Sequence, residues 1–289
     1  MKNSKKGAAQ IISENKEKLG KQVVEKQYKL YPEYWNKFGE EGRQKSIRDI
    51  GYHLDFLIDA ISMNDEEIFT DYVKWAKLLF KEHKIPEETL INTLKILNEE
   101  LENLLPADLF NPVSTYIQSG LQKAREATKE PESYIDTQEP LGRLAKNFNE
   151  ALLNGNKSKA NQMIVNEVKK GTPIKDIYIK VFQPSQLETG RLWLMNKISV
   201  AKEHYVSAAT QLIMSQLYPY IFATERKGLT FVGACVGGEL HEIGIRMVGD
   251  FFEMDGWDTY YLGANTPASP LIIAIEEYQA DLVGLSISI

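Results

Sequence analysis

The hydrophobic pattern changes near Leu229, and this change constrains the fold more than any other feature of the chain. Before it, apolar residues recur at helical spacing; after it, short apolar runs alternate with helical segments. The pattern predicts helices over 241–254 and 269–278, placed between strands over 230–236, 257–262 and 281–289. Because strands that alternate with helices form parallel sheets, we expect an α/β domain.

A doubly wound sheet of flavodoxin or Rossmann type has about five strands. The pattern after Leu229 accounts for its first three. We therefore expect the Rossmann-like sheet to be truncated at the third strand and the sequence to be a fragment of a longer protein. The alternative, a sheet completed by a partner chain, stays open.

Two helical blocks precede the sheet. Residues 141–222 contain four helical segments separated by tight turns, which predicts a four-helix bundle with Ser199 as the N-cap of its last helix. Residues 1–127 carry apolar stripes at helical spacing and predict an N-terminal α-helical bundle. In that bundle, helices are expected to begin at Asn64-Asp65, at Pro86 and after Pro112, and Tyr72 and Trp75 are predicted core residues.

The predicted organisation is multidomain. It consists of an N-terminal helical domain over 1–127, a polar linker over 128–140, a helical cap over 141–225 and an incomplete Rossmann-like domain over 226–289.

Composition excludes several classes of protein. The net charge is −6, so no overall electrostatic attraction to nucleic acid is expected. The single cysteine, Cys235, excludes an intrachain disulfide. No apolar run is long enough to cross a membrane, and no signal peptide begins the sequence. We expect a soluble, cytoplasmic protein.

A short motif, Glu239-Leu240-His241-Glu242-Ile243-Gly244, directly follows the first predicted strand, and 41 residues lie between Gly244 and Ser286. The motif resembles the cobalamin-binding domain shared by methionine synthase, corrinoid methyl carriers and the cobalamin photoreceptors, which carries Asp-x-His-x-x-Gly and a distant Ser-x-Leu. The resemblance implies that His241 is the lower ligand of cobalt and that Glu239 orients its imidazole. It further implies that Ser286 holds the displaced dimethylbenzimidazole.

The same resemblance assigns roles to backbone positions. Gly244 would let the chain approach the cofactor tail, and Gly263, Ala264 and Asn265 would lie beneath the corrin ring. The sequence departs from the family pattern in two residues and one motif. Glu239 replaces the usual Asp, Ser288 replaces the usual Leu, and the later Gly-Gly motif has no counterpart.

Simpler interpretations of this motif stay open. His241 could be an exposed residue at a helix start, with Glu239 as a capping acid. The pair Gly237-Gly238 could belong to a phosphate loop, although it lacks both the Lys-Ser/Thr of a P-loop and the three glycines of a dinucleotide fingerprint.

A second motif lies in the helical cap, where nine residues separate Trp193 from Glu203-His204. This spacing resembles the light-sensing cobalamin proteins that control carotenoid genes. The resemblance implies that Trp193 packs against the adenosyl group and that Glu203 contacts it. After light breaks the cobalt–carbon bond, His204 would become the upper ligand. The alternative is that Trp193 is ordinary core and that Glu203 and His204 are solvated.

The N-terminal block departs from those regulators, which begin with a winged helix-turn-helix of MerR type. Residues 45–125 carry a plain amphipathic pattern instead, so direct nucleic-acid binding is not expected. His53 and His83 raise a haem-type sensor as a further alternative, but each is more simply a surface or satisfied core residue.

These observations favour a cobalamin-dependent light sensor that is not itself an enzyme. Its cofactor would be adenosylcobalamin, with methylcobalamin as the alternative, and His241 and His204 would be the metal ligands. Its partner would be a second copy of the chain or a signalling protein, with no membrane. The alternative functions are a corrinoid methyl carrier that serves a methyltransferase and a cobalamin storage or scaffold module.

Overall fold

The computed structural model describes residues 2–126, 130–222 and 224–287. The chain divides into two compact units, residues 1–130 and residues 131–288. Among the described residues, none of the helices combines the length and the apolar character that crossing a lipid bilayer requires.

Unit 1 is a helical bundle, as the apolar stripes predict. Its elements are α1 (Lys2–Glu14), α2 (Lys16–Leu30), α3 (Pro32–Trp35), a 3₁₀ turn (Asn36–Phe38), α4 (Gly39–Met63), α5 (Glu66–Glu82), α6 (Glu87–Leu104) and α7 (Ala107–Arg125). Buried side chains from α1, α2 and α4 to α7 form one core that includes Val23, Leu54, Phe69, Leu94 and Ile117.

The start of α5 in unit 1 is fixed by a local cap. Asp65 is the N-cap of α5, and its carboxylate accepts a hydrogen bond from the Glu67 N–H at 2.9 Å. The prediction that the last helix starts after Pro112 was wrong, because α7 starts at Ala107 and contains that proline. A proline in the second turn removes only one backbone hydrogen bond, and the added turn brings Leu109 and Phe110 against the core.

A hydrogen-bonded aromatic group lies between α4 and α5. The imidazole Nδ1 of His53 is 2.7 Å from the Tyr72 hydroxyl, and both side chains are buried. Trp75 was predicted to be core but is exposed, and its ring stacks on that of buried Tyr72 with the centroids 5.9 Å apart. Burial lowers the pKa of His53 from 6.5 to about 4, so the imidazole is neutral at physiological pH.

We expect the free energy of unfolding of unit 1 to fall as the pH is lowered from 7 to 4. The unfolded imidazole takes up a proton near pH 6.5, whereas the folded one does so only near pH 4, so protons favour the unfolded state between these values. The loss should reach about 3 kcal/mol. Urea titrations can follow it through Trp35 and Trp75 fluorescence in a Trp193→Phe, Trp257→Phe background. A His53→Phe variant should lose most of this pH dependence, while His83→Gln, at an exposed position, should keep it.

Unit 2 begins with the predicted cap. It comprises α8 (Pro140–Leu153), α9 (Lys157–Lys169), α10 (Ile174–Ile177), a π turn (Tyr178–Phe182), α11 (Gln183–Leu194), α12 (Val200–Ser215) and α13 (Tyr218–Ile221). Ser199 caps α12 as predicted, accepting from the Lys202 N–H at 3.3 Å. The helical segment continues through Pro184, which the π turn places in the first turn of α11.

A parallel sheet follows the cap, as predicted. Its strands are β1 (Thr230–Cys235), β2 (Asp258–Tyr261) and β3 (Leu282–Ser286), and the described strands are ordered β2-β1-β3. Helix α14 (Ile243–Met254) covers one face through Phe231, Ile245 and Phe252. Helix α15 (Ala268–Glu277) covers the other through Val232 and Leu271. This order and the helices on both faces are those of a flavodoxin-like, doubly wound fold.

The cap and α14 share one hydrophobic core. Met247 is buried with Phe148, Tyr178 and Ile213 of the cap, and Ile243, Phe251 and Met254 pack against the same cluster. The helical part and the sheet of unit 2 therefore fold as one body, which fixes α12 relative to the ends of the strands.

A salt-bridged carboxylate on α11 holds the segment that precedes α8. The Glu188 carboxylate accepts from the Ser133 hydroxyl at 3.0 Å and from the Tyr134 N–H at 3.2 Å, and it forms a salt bridge with Arg191 at 2.6 Å. The Arg191 guanidinium also donates to the Pro131 carbonyl at 3.1 Å. Hydrogen bonds to the ionised carboxylate, Arg191 foremost, hold the pKa of Glu188 below its usual range against the opposing effect of burial.

We expect Gly142→Ala to destabilise unit 2 by about 2–3 kcal/mol, because a Cβ at this position would lie 1.7 Å from the Asp136 carbonyl oxygen. Thermal unfolding followed by circular dichroism measures the effect. Gly190→Ala is the matched control, since a Cβ on this α11 glycine would meet no atom within 4 Å. The control should be neutral or stabilising by up to about 1 kcal/mol, and equal losses in both variants would contradict the packing explanation.

Candidate functional site

The predicted lower residues meet at one edge of the sheet. His241 follows β1, Gly263 to Asn265 follow β2, and Ser286 ends β3, so all lie at the carboxyl ends of parallel strands. In a sheet of this order, the crevice between β1 and β3 is the place where the chain changes direction between the two faces and where ligands bind. Cys235 and Ser286 face each other across that crevice in the strand register.

His241 and Glu239 form a carboxylate–imidazole pair. The Nδ1 atom of His241 is 2.7 Å from Glu239 Oε1, and the His241 backbone N–H donates to the same oxygen at 2.6 Å. The carboxylate side chain is 5% exposed and the imidazole 81% exposed. Because an ionised carboxylate only accepts, Nδ1 carries the proton, and Nε2 is the nitrogen left to bind a metal. The Glu239 side chain is thus long enough to reach both the backbone N–H and the ring of His241.

The loop after β2 is held against the loop after β1. The Asn265 side-chain oxygen accepts from the Gly238 N–H at 2.7 Å, and the Asn265 N–H donates to the Glu239 carbonyl at 2.8 Å. Gly263 and Asn265 both have positive φ, at 87° and 51°, which turns the loop sharply. These bonds fix the segment that supports the His241–Glu239 pair.

Gly244 and Ser286 lie at the start of α14 and at the end of β3. Gly244 is exposed in the first turn of α14, and a Cβ there would meet no protein atom within 4 Å. Protein packing therefore does not require this glycine, which leaves room for a ligand. Ser286 is half-buried, and its carbonyl accepts from the Val236 N–H at 3.1 Å. Ser288 lies outside the described residues.

The predicted upper residues gather around the turn between α11 and α12. Trp193 is half-buried near the end of α11, and Glu203 and His204 lie in the first turns of α12. The Nδ1 atom of His204 is 2.8 Å from Glu203 Oε2, with the imidazole 75% and the carboxylate 27% exposed. This pair matches the Glu239–His241 pair in chemistry, and it also leaves Nε2 as the ligand nitrogen.

The structure connects the two groups through residues that the sequence reasoning missed. Gln211 on α12 donates from Nε2 to Glu242 Oε1 at 3.0 Å, and Glu242 is the neighbour of His241. Glu242 also accepts from the Tyr261 hydroxyl at 2.6 Å. This hydrogen bond holds the pKa of Glu242 below its usual range, although burial opposes it. Because Glu242 is part of the motif, its charge could be seen in the sequence. Its hydrogen-bond partners, Gln211 and Tyr261, could not be identified from the sequence.

The donor set fits a metal that arrives in its own macrocycle. Within the described part of the chain, no cluster of three or more His, Cys, Asp or Glu side chains could hold a metal ion. A metal that arrives bound in a macrocycle would need few further ligands from the protein, and His241 could supply an exposed imidazole nitrogen. His53, raised as a haem-type candidate, is instead buried and bonded to Tyr72.

Comparison with known proteins identifies two segments of unit 2. Residues 229–289 match a family model described as a B12 binding domain, and residues 144–218 match a second model of the same description. The chain is 33% identical over 90 residues to the HTH-type transcriptional repressor CarA of Myxococcus xanthus, which is 31% of this chain and 31% of that protein. The chain therefore spans about a third of the length of this curated relative.

Two solved structures are also similar to the chain. One is a cobalamin-binding protein from Desulfitobacterium hafniense DCB-2, with 22% identity, 50% of this chain and 69% of that chain covered, and a TM-score of 0.29. The other is the methanol:cobalamin methyltransferase complex MtaBC from Methanosarcina barkeri, with 17% identity, coverage of 66% and 69%, and a TM-score of 0.32.

Residues 144–218 and 229–289 therefore each match a B12 binding domain, and a 90-residue segment of the chain is similar to a protein named as a transcriptional repressor.

Proposed function

We propose that the protein is a cobalamin-dependent light sensor that uses adenosylcobalamin and exchanges its upper ligand for His204. The observation that carries this proposal is the presence of two carboxylate–imidazole pairs of the same kind in unit 2, Glu239–His241 and Glu203–His204. One pair suffices to hold a cofactor. A second pair, on the cap helix, suits a switch between two ligation states.

The lower pair would hold the cofactor. Glu239 keeps the proton on Nδ1 of His241 and raises the basicity of Nε2, which would bind cobalt from below. The bonded loop of Gly263, Ala264 and Asn265 would support the corrin ring, and Gly244 and Ser286 would line the space for the nucleotide tail. Each of these residues lies at the carboxyl edge of the sheet.

The predicted upper residues would respond to the presence or loss of the adenosyl group of the cofactor. When bound, adenosylcobalamin supplies a cobalt–carbon bond that visible light cleaves. Trp193 would pack against the adenosyl group, and loss of that group would leave a void beside the indole. Packed interfaces respond to such voids by discrete rearrangement. Glu203 would then keep Nε2 of His204 available as the new upper ligand.

The output we propose is a change in oligomeric state or in binding of a protein partner. The similarity to a protein named as a transcriptional repressor supports a regulatory role for the chain. The domain boundaries predicted at residues 127, 140 and 225 are part of the same proposal. In it, the N-terminal bundle transmits the signal, and the cap and the Rossmann-like domain hold the cofactor.

Illumination of the adenosylcobalamin-loaded protein with green light should yield the visible spectrum of a bis-imidazole cobalamin. His204→Ala should load equally well in the dark but give a water-ligated spectrum after light, because the second imidazole is missing. Absorption spectroscopy and mass photometry, before and after light, measure ligation and assembly. His83→Ala, which changes an exposed histidine of unit 1, is the control and should behave as the wild type.

The light-sensor proposal fails if light gives a water-ligated product that does not depend on His204, with no change in mass or shape. Methyl transfer to a tetrahydrofolate or thiol acceptor would instead support the corrinoid methyl carrier. Binding without either response would support a storage or scaffold module.

We expect His241→Ala to remove the lower imidazole ligand, and Glu239→Gln to weaken cobalamin binding about 10–100-fold, as loss of an outer-shell partner does at other metal sites. Glu239→Asp should retain most of the affinity, because aspartate is the family's usual residue. Titration with hydroxocobalamin and the imidazole-ligand band in the spectrum measure both effects. Unchanged affinity and spectrum in His241→Ala would exclude it as the lower ligand.

A further inference from the structure

Three charged side chains, one from the N-cap residue of α14 and two from the helix itself, face the cap. Glu242, Arg246 and Asp250 are spaced by four residues, which aligns them along the helix. Each is hydrogen-bonded to a cap side chain. Glu242 accepts from Gln211, Arg246 donates to Gln211 and Ser215 at 2.9 Å each, and Asp250 accepts from the Tyr178 hydroxyl at 2.7 Å.

The Glu242 end of this row lies at the candidate cofactor site. Its carboxylate accepts hydrogen bonds from Gln211 on α12 and from Tyr261 at the end of β2. One side chain thus ties together the loop that carries His241, the end of β2 and the cap helix.

The Gln211 amide is held on both sides. Its nitrogen donates to Glu242, and its oxygen accepts from Arg246. Because the two atoms of the amide have opposite partners, the side chain has one orientation that satisfies both. A half-buried polar network of this kind is costly to break in part, so it defines the position of α12 along α14.

We propose that Glu242 and Gln211 are positioning residues that set the height of His204 above His241, and so determine whether the second imidazole can reach cobalt. His204 lies seven residues before Gln211 on the same helix, about 10 Å along its axis. Because α12 is held at Gln211, the position of His204 along the helix axis is defined as well. This inference rests on the proposed ligand exchange.

The test uses the full chain loaded with adenosylcobalamin in the dark and then illuminated. Glu242→Gln removes the charge of the acceptor, and Gln211→Leu removes both amide bonds from the cap side without altering the loop. In both variants we expect retention of the lower imidazole. The ratio of bis-imidazole to water-ligated product after light should fall on the order of tenfold. The double variant should lose little more than the larger single effect, because both changes act on the Gln211–Glu242 contact.

Tyr178→Phe is the matched control. It removes one buried hydrogen bond between the cap and α14, at Asp250, two helical turns from Glu242 and away from both cofactor loops. This variant should keep the wild-type ratio of products. Circular dichroism and thermal unfolding of each variant establish that it is folded, and hydrogen exchange of α12 should rise in Gln211→Leu before light.

Two outcomes overturn the inference. One is a wild-type product ratio in folded Glu242→Gln and Gln211→Leu. The other is an equal fall of the product ratio in Tyr178→Phe. That result would mean that the overall packing of the cap on α14, rather than the position of His204, controls ligation. If the wild type itself forms no bis-imidazole product, the proposed function fails first and the positioning role fails with it.

Discussion

The hydrogen bond between the buried Glu239 carboxylate and Nδ1 of the exposed His241 imidazole is the interaction on which the candidate site depends. It decides which ring nitrogen carries the proton, and it leaves the other at the surface, where it could bind the metal that we propose. The bond forms because β1 ends in the middle of a parallel sheet, where the loops after β1 and β2 meet and are joined through Asn265. The fold brings the two side chains together, and their hydrogen bond sets which imidazole nitrogen is available to a ligand.

The cap and the sheet of unit 2 are joined beside the candidate site by a shared core. Met247 of α14 is buried in the cap core, and a row of three charged residues on the same helix holds polar groups of the cap. The hydrophobic contacts supply most of the adhesion but little directional preference. The polar contacts add direction, because an amide or a guanidinium has few orientations that satisfy its partners. A change at cobalt and a change in α12 would therefore be coupled.

Much of the fold was predictable from local signals. Asp65 and Ser199 cap the helices that the sequence predicts, because a cap is a hydrogen bond between residues two or three apart. The alternation of strands and helices after Leu229 likewise predicted the parallel sheet, because it is a pattern of neighbouring segments along the chain. Predictions failed where distant packing outweighed a local preference. Helix α7 starts before Pro112 because its first turn gains core contacts, and Trp75 is exposed, with its ring stacked on that of buried Tyr72.

The sequence by itself determined the chemical identity of the site: an imidazole two residues from an acid, a distant serine, and a second histidine beside a glutamate, at spacings that point to a cobalamin-binding family. Only the tertiary structure decided which nitrogen of His241 is available and which residues link the cap to the loop. Gln211 and Glu242 are 31 residues apart, and they meet because α12 and α14 share a core. A motif records residues that are close along the chain, whereas contacts between elements arise only when those elements pack.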